Sequence, residues 1–214
     1  MADKAPHTKG HGHGYLPAMG HDRLLPFYDV FTLLLGARAG HRRLADQAAV
    51  RPGQRVLEIG TGTGNLALLV ARRHPDAEVV GLDLDPLALA VARRKAGRRG
   101  LRVQWDLGTA AELPYADASV DRVLSSLMFH HLDEDEKRRT LAEVRRVLRP
   151  GGSLHLMDFG GSHQGPLARM LHRRTPRLDA NTGDAIPERM RAAGLADAAE
   201  IDHRAGAAYF RATR

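Results

Sequence analysis

The chain has 214 residues, a formal net charge of +7 and no cysteine. Its length fits one domain with a full-sized hydrophobic core. The lack of cysteine excludes disulfides, thiolate zinc sites and cysteine nucleophiles. No run of eighteen apolar residues occurs and the N-terminus has no apolar signal segment, so we expect no membrane span and a cytoplasmic location.

The positive charge raises the possibility of a nucleic-acid partner. The basic residues are mainly arginines that lie in pairs along segments of helical character, such as Arg72-Arg73, Arg93-Arg94 and Arg145-Arg146. Solvated helix faces explain this distribution better than a binding patch does. We therefore expect a small-molecule substrate and no nucleic acid.

The N-terminal part of the chain differs from the rest. Residues 1–14 are polar and rich in glycine and histidine, which predicts a flexible tail. Residues 15–50 contain apolar side chains at helical spacing and are expected to form a helical cap segment. The N-terminal part of the chain holds four histidines that could ligate a metal, His7, His11, His13 and His21. Their glycine-rich setting favours adventitious binding, so no metal site is predicted.

From residue 51 onward, strands alternate with helices. The predicted elements are the strand Arg55–Ile59, the helix Asn65–His74, the strand Val79–Leu82, a helix from Asp85-Pro86 to Gly97, the strands Leu101–Trp105 and Val120–Ser125, the helix Glu134–Arg149, the strand Ser153–Asp158, the helix Pro187–Ala193 and two apolar stretches at 199–201 and 207–210. This alternation predicts an α/β fold with a doubly wound, mostly parallel sheet over 51–214. A further cap insertion is expected at about 160–195.

The most informative segment is residues 56–64, where an apolar strand breaks into the alternate glycines Gly60, Gly62 and Gly64 before a helix. Glycines allow a ligand to approach the main chain closely because no Cβ intervenes. Asp83 closes the next predicted strand, where a carboxylate is placed to accept both hydroxyls of a ribose. The pattern predicts a nucleoside-binding half-fold.

The spacing of the loop distinguishes between nucleoside cofactors. A dinucleotide loop has the pattern G-x-G-x-x-G, but Asn65 stands where its third glycine would be, and Glu58 precedes the loop. A buried carboxylate suits a cationic ligand and repels a pyrophosphate. The segment resembles the first motif of the class I S-adenosylmethionine methyltransferases, E/D-x-G-x-G-x-G. A turn that binds no ligand is the structural alternative.

Three later segments resemble the same family, and specifically its ubiquinone and menaquinone biosynthesis C-methyltransferases. They are Glu112 to Asp121, Leu127 to Leu132 and Glu143 to Gly152, in the family's order. The resemblance covers about residues 53 to 160. It implies a Rossmann-like fold with seven strands, S-adenosylmethionine as cofactor and S-adenosylhomocysteine as product.

The resemblance also implies roles for single residues. Cofactor contacts are expected at Tyr28, Glu58, Gly60, Thr61, Gly62, Gly64, Asp83, Leu84, Thr109, Ala110 and Ser125. Glu58 would attract the ammonium group, Asp83 would bind the ribose hydroxyls, and Leu84 would pack on the adenine. Thr109 departs from the aspartate common at its position, which leaves adenine recognition partly to backbone groups near Ala110.

The acceptor is less well defined than the cofactor. His130 and His131 lie where the fourth strand opens onto the expected acceptor pocket, and an imidazole can accept a proton near neutral pH. They are the candidate catalytic residues, with a structural role as the alternative. No N/D-P-P-F/Y motif follows the fourth strand, which disfavours exocyclic amines of adenine or cytosine.

The sequence therefore predicts a methyltransferase that acts on a small molecule through oxygen, carbon or nitrogen, as a monomer or homodimer. Two alternatives stay open at this point. One is an RNA or ribosomal methyltransferase, and the other is a non-catalytic S-adenosylmethionine-binding regulatory protein.

Overall fold

The computed structural model describes residues 37–160, 185–204 and 206–214. In chain order the elements are α1 (Ala37–Ala48), β1 (Arg55–Ile59), α2 (Asn65–Arg73), β2 (Glu78–Asp83), α3 (Pro86–Arg98), β3 (Gln104–Leu107), β4 (Val120–Ser126), a 3-10 turn (Phe129–His131), α4 (Glu134–Val147), β5 (Leu148–Phe159), α5 (Ala185–Ala192), β6 (Ala196–Arg204) and β7 (Ala207–Thr213). Among these helices, none combines the length and the apolar character that a membrane span requires.

The strands form one seven-stranded sheet in the order β3-β2-β1-β4-β5-β7-β6. Neighbours from β3 to β5 are parallel, and β7 runs antiparallel to both β5 and β6. The order reverses between β1 and β4, and the carboxyl ends of these strands form the crevice where doubly wound sheets bind ligands. The prediction of a doubly wound, mostly parallel seven-stranded sheet is confirmed.

Each face of the sheet has its own hydrophobic core. Leu57 of β1 and Val123 of β4 lie in one core with α4 and α5, whereas Val56 and Leu124 lie in the other with α1 and α2. Alternate residues of a strand point to opposite faces, so each central strand is apolar on both sides. Helix α1, the described part of the expected cap segment 15–50, buries Leu44 in the second core.

Two helices begin at residues that cap them. The Asp85 side chain accepts a hydrogen bond from the Leu87 N–H at 2.8 Å, and Pro86 takes the first position of α3. At α4, Asp133 accepts from the Glu136 N–H while the Glu136 side chain accepts from the Asp133 N–H. Capping of this kind satisfies amide groups that have no partner within the helix. Asp85 therefore starts α3 immediately beyond the ligand-facing end of β2.

The third strand lies further along the chain than the sequence predicts. It spans Gln104–Leu107 instead of Leu101–Trp105, and α3 continues past Gly97 to Arg98. Gly100 has a φ of +60°, and the Leu101 N–H donates to the Ala96 carbonyl at 3.1 Å. The helix thus ends with a left-handed glycine, and Leu101 completes the cap instead of joining the sheet.

A single arginine holds the segment between β3 and β4. The Arg146 guanidinium donates to the carbonyls of Leu113 and Tyr115 and to the carboxylates of Asp117 and Glu143. The planar guanidinium carries five N–H donors and can satisfy all four acceptors at once. This clamp fixes the residues that follow Thr109 and Ala110 at the edge of the crevice.

Candidate active site

The loop after β1 contains three glycines in the left-handed region. Their φ angles are +66° at Gly60, +53° at Gly62 and +79° at Gly64. A Cβ on Gly62 would meet no atom of the described residues within 4 Å, so among these residues the backbone of this glycine borders open space. Gly62 therefore leaves room for a ligand to reach the main chain.

Gly60 and Gly64 leave room for neighbouring side chains inside the protein. A Cβ on Gly60 would lie 2.3 Å from Cγ of Met128, and one on Gly64 would lie 2.5 Å from the indole of Trp105. Both distances are shorter than any normal carbon contact. The Met128 side chain, in the segment after β4, thus packs directly on the loop after β1.

Asp83, at the end of β2, is bound to this loop. One carboxylate oxygen accepts from the Gly62 N–H at 2.6 Å, and the other accepts from the Asp85 N–H at 2.9 Å. Burial raises the pKa of Asp83, and the backbone hydrogen bonds oppose that rise. The sequence placed Asp83 at the carboxyl edge of the sheet, and the structure brings it against Gly62.

Glu58 lies on β1 beneath the same loop and is buried. Its Oε2 accepts from the Thr61 hydroxyl at 2.6 Å and from the Ala67 N–H at 2.8 Å. Burial raises the pKa of Glu58 to about 8, although these hydrogen bonds work in the opposite direction. Thr61 therefore contacts Glu58 directly, and the carboxyl group ties the loop to the start of α2.

The residues expected around the adenine lie at the ends of β2 and β3. Leu84 is 51% exposed, which is unusual for a large apolar side chain. The Thr109 hydroxyl accepts from the Ala111 N–H at 3.2 Å, and Ala110 is buried in the core beside it. An exposed leucine next to a carboxylate offers an apolar surface for a flat ring.

The end of β4 contributes two serines with different environments. Ser125 is fully buried, and among the described residues its hydroxyl has no hydrogen-bond partner. The Ser126 hydroxyl lies 3.0 Å from Nε2 of His41 on α1. His41 has no motif around it, and only the packing of α1 on the sheet reveals its place at this edge.

His130 lies in the 3-10 turn after β4 and is paired with an acidic residue that the sequence analysis missed. Its Nδ1 is 2.6 Å from Oδ1 of Asp158, whose side chain is fully buried. The His130 and His131 rings lie with their centres 4.0 Å apart. Asp158 ends the run of apolar residues on β5, and its position at a strand end next to β4 was the only available signal.

Some expected positions lie outside the described residues, namely Tyr28 and the N-terminal histidines His7, His11, His13 and His21. Within the described ranges, no group of three or more histidine, aspartate or glutamate side chains is arranged to hold a metal ion. The cofactor and catalytic candidates from Glu58 to His131 gather at the carboxyl edge of the sheet.

Comparison with known proteins agrees with this geometry. Residues 56–152, which contain the glycine loop, Asp83 and His130, match the family described as "Methyltransferase domain". This region, which we call the methyltransferase domain, resembles that family.

The methyltransferase domain has named relatives in bacteria. The chain is 42% identical over 139 residues to a demethylmenaquinone methyltransferase of Thermus thermophilus, covering 64% of this chain and 62% of that protein. It is 35% identical over 142 residues to a ubiquinone/menaquinone biosynthesis C-methyltransferase of Paracoccus denitrificans, covering 64% of this chain and 56% of the relative. The chain thus spans about three fifths of the length of the relatives it matches.

Solved structures show the same fold as the methyltransferase domain. The YcgJ protein of Bacillus subtilis has a TM-score of 0.63 at 26% identity, covering 77% of this chain and 71% of that one. A phosphoethanolamine N-methyltransferase of Haemonchus contortus, in complex with S-adenosyl-L-methionine, has a TM-score of 0.73 at 18% identity, covering 92% and 58%. The second likeness concerns the fold alone.

The residues of the methyltransferase domain fit S-adenosylmethionine. Gly62 leaves open space above its backbone, the buried Ser125 hydroxyl has a free hydrogen-bonding capacity among the described residues, and Leu84 is exposed beside Asp83. Two carboxyl groups at the loop match a ligand that carries an ammonium and a sulfonium and no phosphate. An ionised Glu58 would oppose a pyrophosphate.

Proposed function

We propose that this protein transfers a methyl group from S-adenosylmethionine to a small-molecule acceptor through oxygen, carbon or nitrogen. The observation that supports this most is the pairing of Asp83 with the Gly62 N–H beside an open backbone position. In this proposal, Asp83 binds the ribose next to a loop that admits the amino-acid part of the cofactor.

Each residue at the edge of the crevice has a proposed part in holding the cofactor. Asp83 accepts hydrogen bonds from the ribose hydroxyls, Glu58 attracts the ammonium, and Leu84 packs on the adenine. Thr109 and backbone groups near Ala110 bind the adenine edge, and Ser125 borders the methionine part. Tyr28 is proposed to reach the carboxylate from the cap.

The sulfonium of the bound cofactor supplies an electrophilic methyl group. The main task of the protein is then to hold the acceptor atom in line with the methyl group and to exclude water, which lowers the barrier by several kcal/mol or more. His130 or His131 accepts a proton where the acceptor must lose one. No metal ion takes part in this proposal.

We propose that the acceptor lies between the sheet edge and a cap formed by residues 15–50 and about 160–195. The names of the relatives direct the search for the acceptor toward aromatic compounds of quinone type. The test is transfer of labelled methyl from S-adenosylmethionine to a panel of naphthohydroquinone, catechol and aniline. Labelled product from one class of probe supports the proposal, and its absence with every probe contradicts a small aromatic acceptor.

The net charge of +7 favours a second candidate, methylation of RNA. An RNA substrate requires tight binding that falls steeply as the salt concentration rises, because counterions are released from phosphates. Weak binding of RNA with no methyl incorporation would exclude an RNA substrate.

A cytoplasmic location and a monomeric or homodimeric state belong to the main proposal. They are measured by cell fractionation and analytical ultracentrifugation.

A further inference from the structure

We propose that Asp158 positions His130 as the general base, so that the acceptor group is one that loses a proton, such as a hydroxyl. This inference rests on the proposed methyl transfer and specifies which of the two histidines acts and which class of acceptor it serves. Asp158 does not touch the substrate in this proposal and acts only through His130.

The Asp158 carboxylate is held from three directions. It accepts from His130 Nδ1 at 2.6 Å, from the His130 backbone N–H at 3.2 Å and from the Phe159 N–H at 2.7 Å. The side chain is fully buried, and a buried carboxylate surrounded by donors keeps one orientation. The imidazole of His130 therefore meets a fixed acceptor.

The contact decides which nitrogen of His130 carries the hydrogen. A carboxylate that already receives two backbone N–H groups acts as an acceptor, so Nδ1 of His130 must donate. In the neutral ring, Nε2 then carries the lone pair and can take a proton. The His130 side chain is 13% exposed, so the ring is shielded but not sealed off.

The position of His130 agrees with a role at the methyl-transfer site. His130 follows β4 and Asp158 lies on β5, and these neighbouring parallel strands end at the same edge of the sheet. Met128, two residues before His130, packs on Gly60 of the cofactor loop. The Phe159 ring meets the His130 ring edge-on at 5.1 Å and helps to hold its plane.

His131 follows His130 in the 3-10 turn. Its ring packs beside that of His130, but the buried carboxylate contacts Nδ1 of His130. A carboxylate beside the ring also stabilises the imidazolium that forms when Nε2 gains a proton. The contact with Asp158 is therefore the reason for assigning the base to His130.

The proton step balances without another reactant. The O–H bond of the acceptor breaks, its electron pair stays on oxygen, and the proton forms a bond with Nε2 of His130. The imidazolium later returns the proton to water. A neutral amine already has a free electron pair and needs no base before it attacks, so a fixed His–Asp pair points to a hydroxyl acceptor, directly methylated or activating an adjacent ring carbon.

The experiment compares four proteins, namely the wild type, His130→Asn, Asp158→Asn and the control His74→Asn, at the end of α2. An asparagine at 130 can still donate to Asp158 but has no Nε2. An asparagine at 158 keeps the shape but carries no charge and cannot accept from all three donors. Each protein is assayed for S-adenosylmethionine binding by calorimetry and for methyl transfer to naphthohydroquinone, catechol and aniline. Nitrogen NMR of the histidines reports the tautomer without any acceptor.

We expect all four proteins to bind S-adenosylmethionine equally and wild-type His130 to carry its hydrogen on Nδ1. Transfer to a hydroxyl probe should fall by about 10²-fold or more in kcat for His130→Asn and Asp158→Asn, with KM unchanged. His74→Asn, at the end of α2, should keep the wild-type rate.

Three results would overturn the inference while leaving the proposed function intact. They are a hydrogen on Nε2 of wild-type His130, a wild-type rate in either His130→Asn or Asp158→Asn, and transfer to aniline with none to the hydroxyl probes. A wild-type protein that binds S-adenosylmethionine but methylates no probe also overturns the assigned acceptor class. Failure of the wild type to bind S-adenosylmethionine would overturn the proposed function itself.

Discussion

The carboxylate of Asp83 and the backbone N–H of Gly62 lie 2.6 Å apart and join the end of β2 to the loop after β1. These two residues come from the two halves of one βαβ unit, whose strands pair in parallel. The hydrogen bond fixes the carboxylate at the open position of the loop.

Replacing Asp83 with alanine should weaken S-adenosylmethionine binding about ten- to a hundredfold, because charge-assisted hydrogen bonds to the ribose are lost. Calorimetry measures the change, and Asp76→Ala, at an exposed turn, is the matched control. A deoxyribose analogue of S-adenosylhomocysteine separates ribose binding from loop support. In the wild type, the analogue should bind more weakly than S-adenosylhomocysteine. If the variant shows the same difference in affinity between these two ligands, Asp83 does not bind the ribose.

Gly62→Ala should lower cofactor affinity without unfolding the protein. The new Cβ enters open space, and the backbone strain of a left-handed alanine costs about 1–2 kcal/mol. Gly53→Ala is a close control because Gly53 also has a positive φ, of +75°, and no atom within 4 Å of its Cβ position. Both variants should lose similar stability in denaturant titrations, and only Gly62→Ala should lose affinity. Equal affinities in the two variants would mean that the cofactor does not approach Gly62.

Glu58 should make cofactor binding depend on pH. Burial raises the pKa of Glu58 to about 8, so the carboxyl group of the free protein is largely protonated at neutral pH. A bound ammonium needs the ionised form, so affinity should rise as the pH increases toward about 8, and binding should release a proton. Methylthioadenosine, which has no ammonium, is the control ligand. Identical pH profiles for the two ligands would show that Glu58 does not serve the ammonium.

A rise in pH should lower the stability of the protein through Glu58, although it strengthens cofactor binding. Between its ordinary pKa of 4.5 and about 8, folded Glu58 keeps a proton that the unfolded chain releases. Its contribution to the free energy of unfolding is therefore complete below about pH 4.5 and is lost as the pH rises through about 8. Glu58→Gln should remove this dependence in urea titrations. A wild-type slope retained in the variant would assign the effect to another group.

His155 should limit stability on the acid side. Burial lowers the pKa of His155 to about 4, with further contributions from the charges of Arg211 and Arg122. The unfolded chain binds a proton at this histidine below about pH 6.5, whereas the folded chain does not until about pH 4. The free energy of unfolding should therefore fall as the pH is lowered from about 6.5 to about 4, and His155→Gln should reduce this fall. His74→Gln serves as the control, and an equal effect of both substitutions would refute the assignment.

Much of the fold could be predicted because its signals are local. The apolar run of β1, the glycines that follow it, and Asp85 with Pro86 at the start of α3 each specify a neighbouring turn of the backbone. The displaced β3 shows where local signals mislead. The residues from Leu101 to Trp105 are typical of a strand, but the left-handed Gly100 makes Leu101 part of the cap of α3.

The candidate site was predicted less completely, because its chemistry depends on contacts between distant residues. Asp158 pairs with His130 across 28 positions of the chain, and His41 meets Ser126 across 85. Neither contact follows from the spacing of residues in the sequence. The first exists only after β4 pairs with β5, and the second only after α1 packs on the sheet. Gly64 also has a packing role against Trp105 that a glycine motif alone does not distinguish from ligand contact.

The most direct test of the account is calorimetric titration of the wild-type protein with S-adenosylmethionine, S-adenosylhomocysteine and NAD, followed in parallel by tryptophan fluorescence. Trp105 is the one tryptophan in the sequence and lies against Gly64 of the loop, so it reports occupancy of the site. The account predicts that S-adenosylmethionine and S-adenosylhomocysteine bind one site per chain and change the fluorescence, while NAD produces neither heat nor a signal. Tight binding of NAD without binding of S-adenosylmethionine would contradict it.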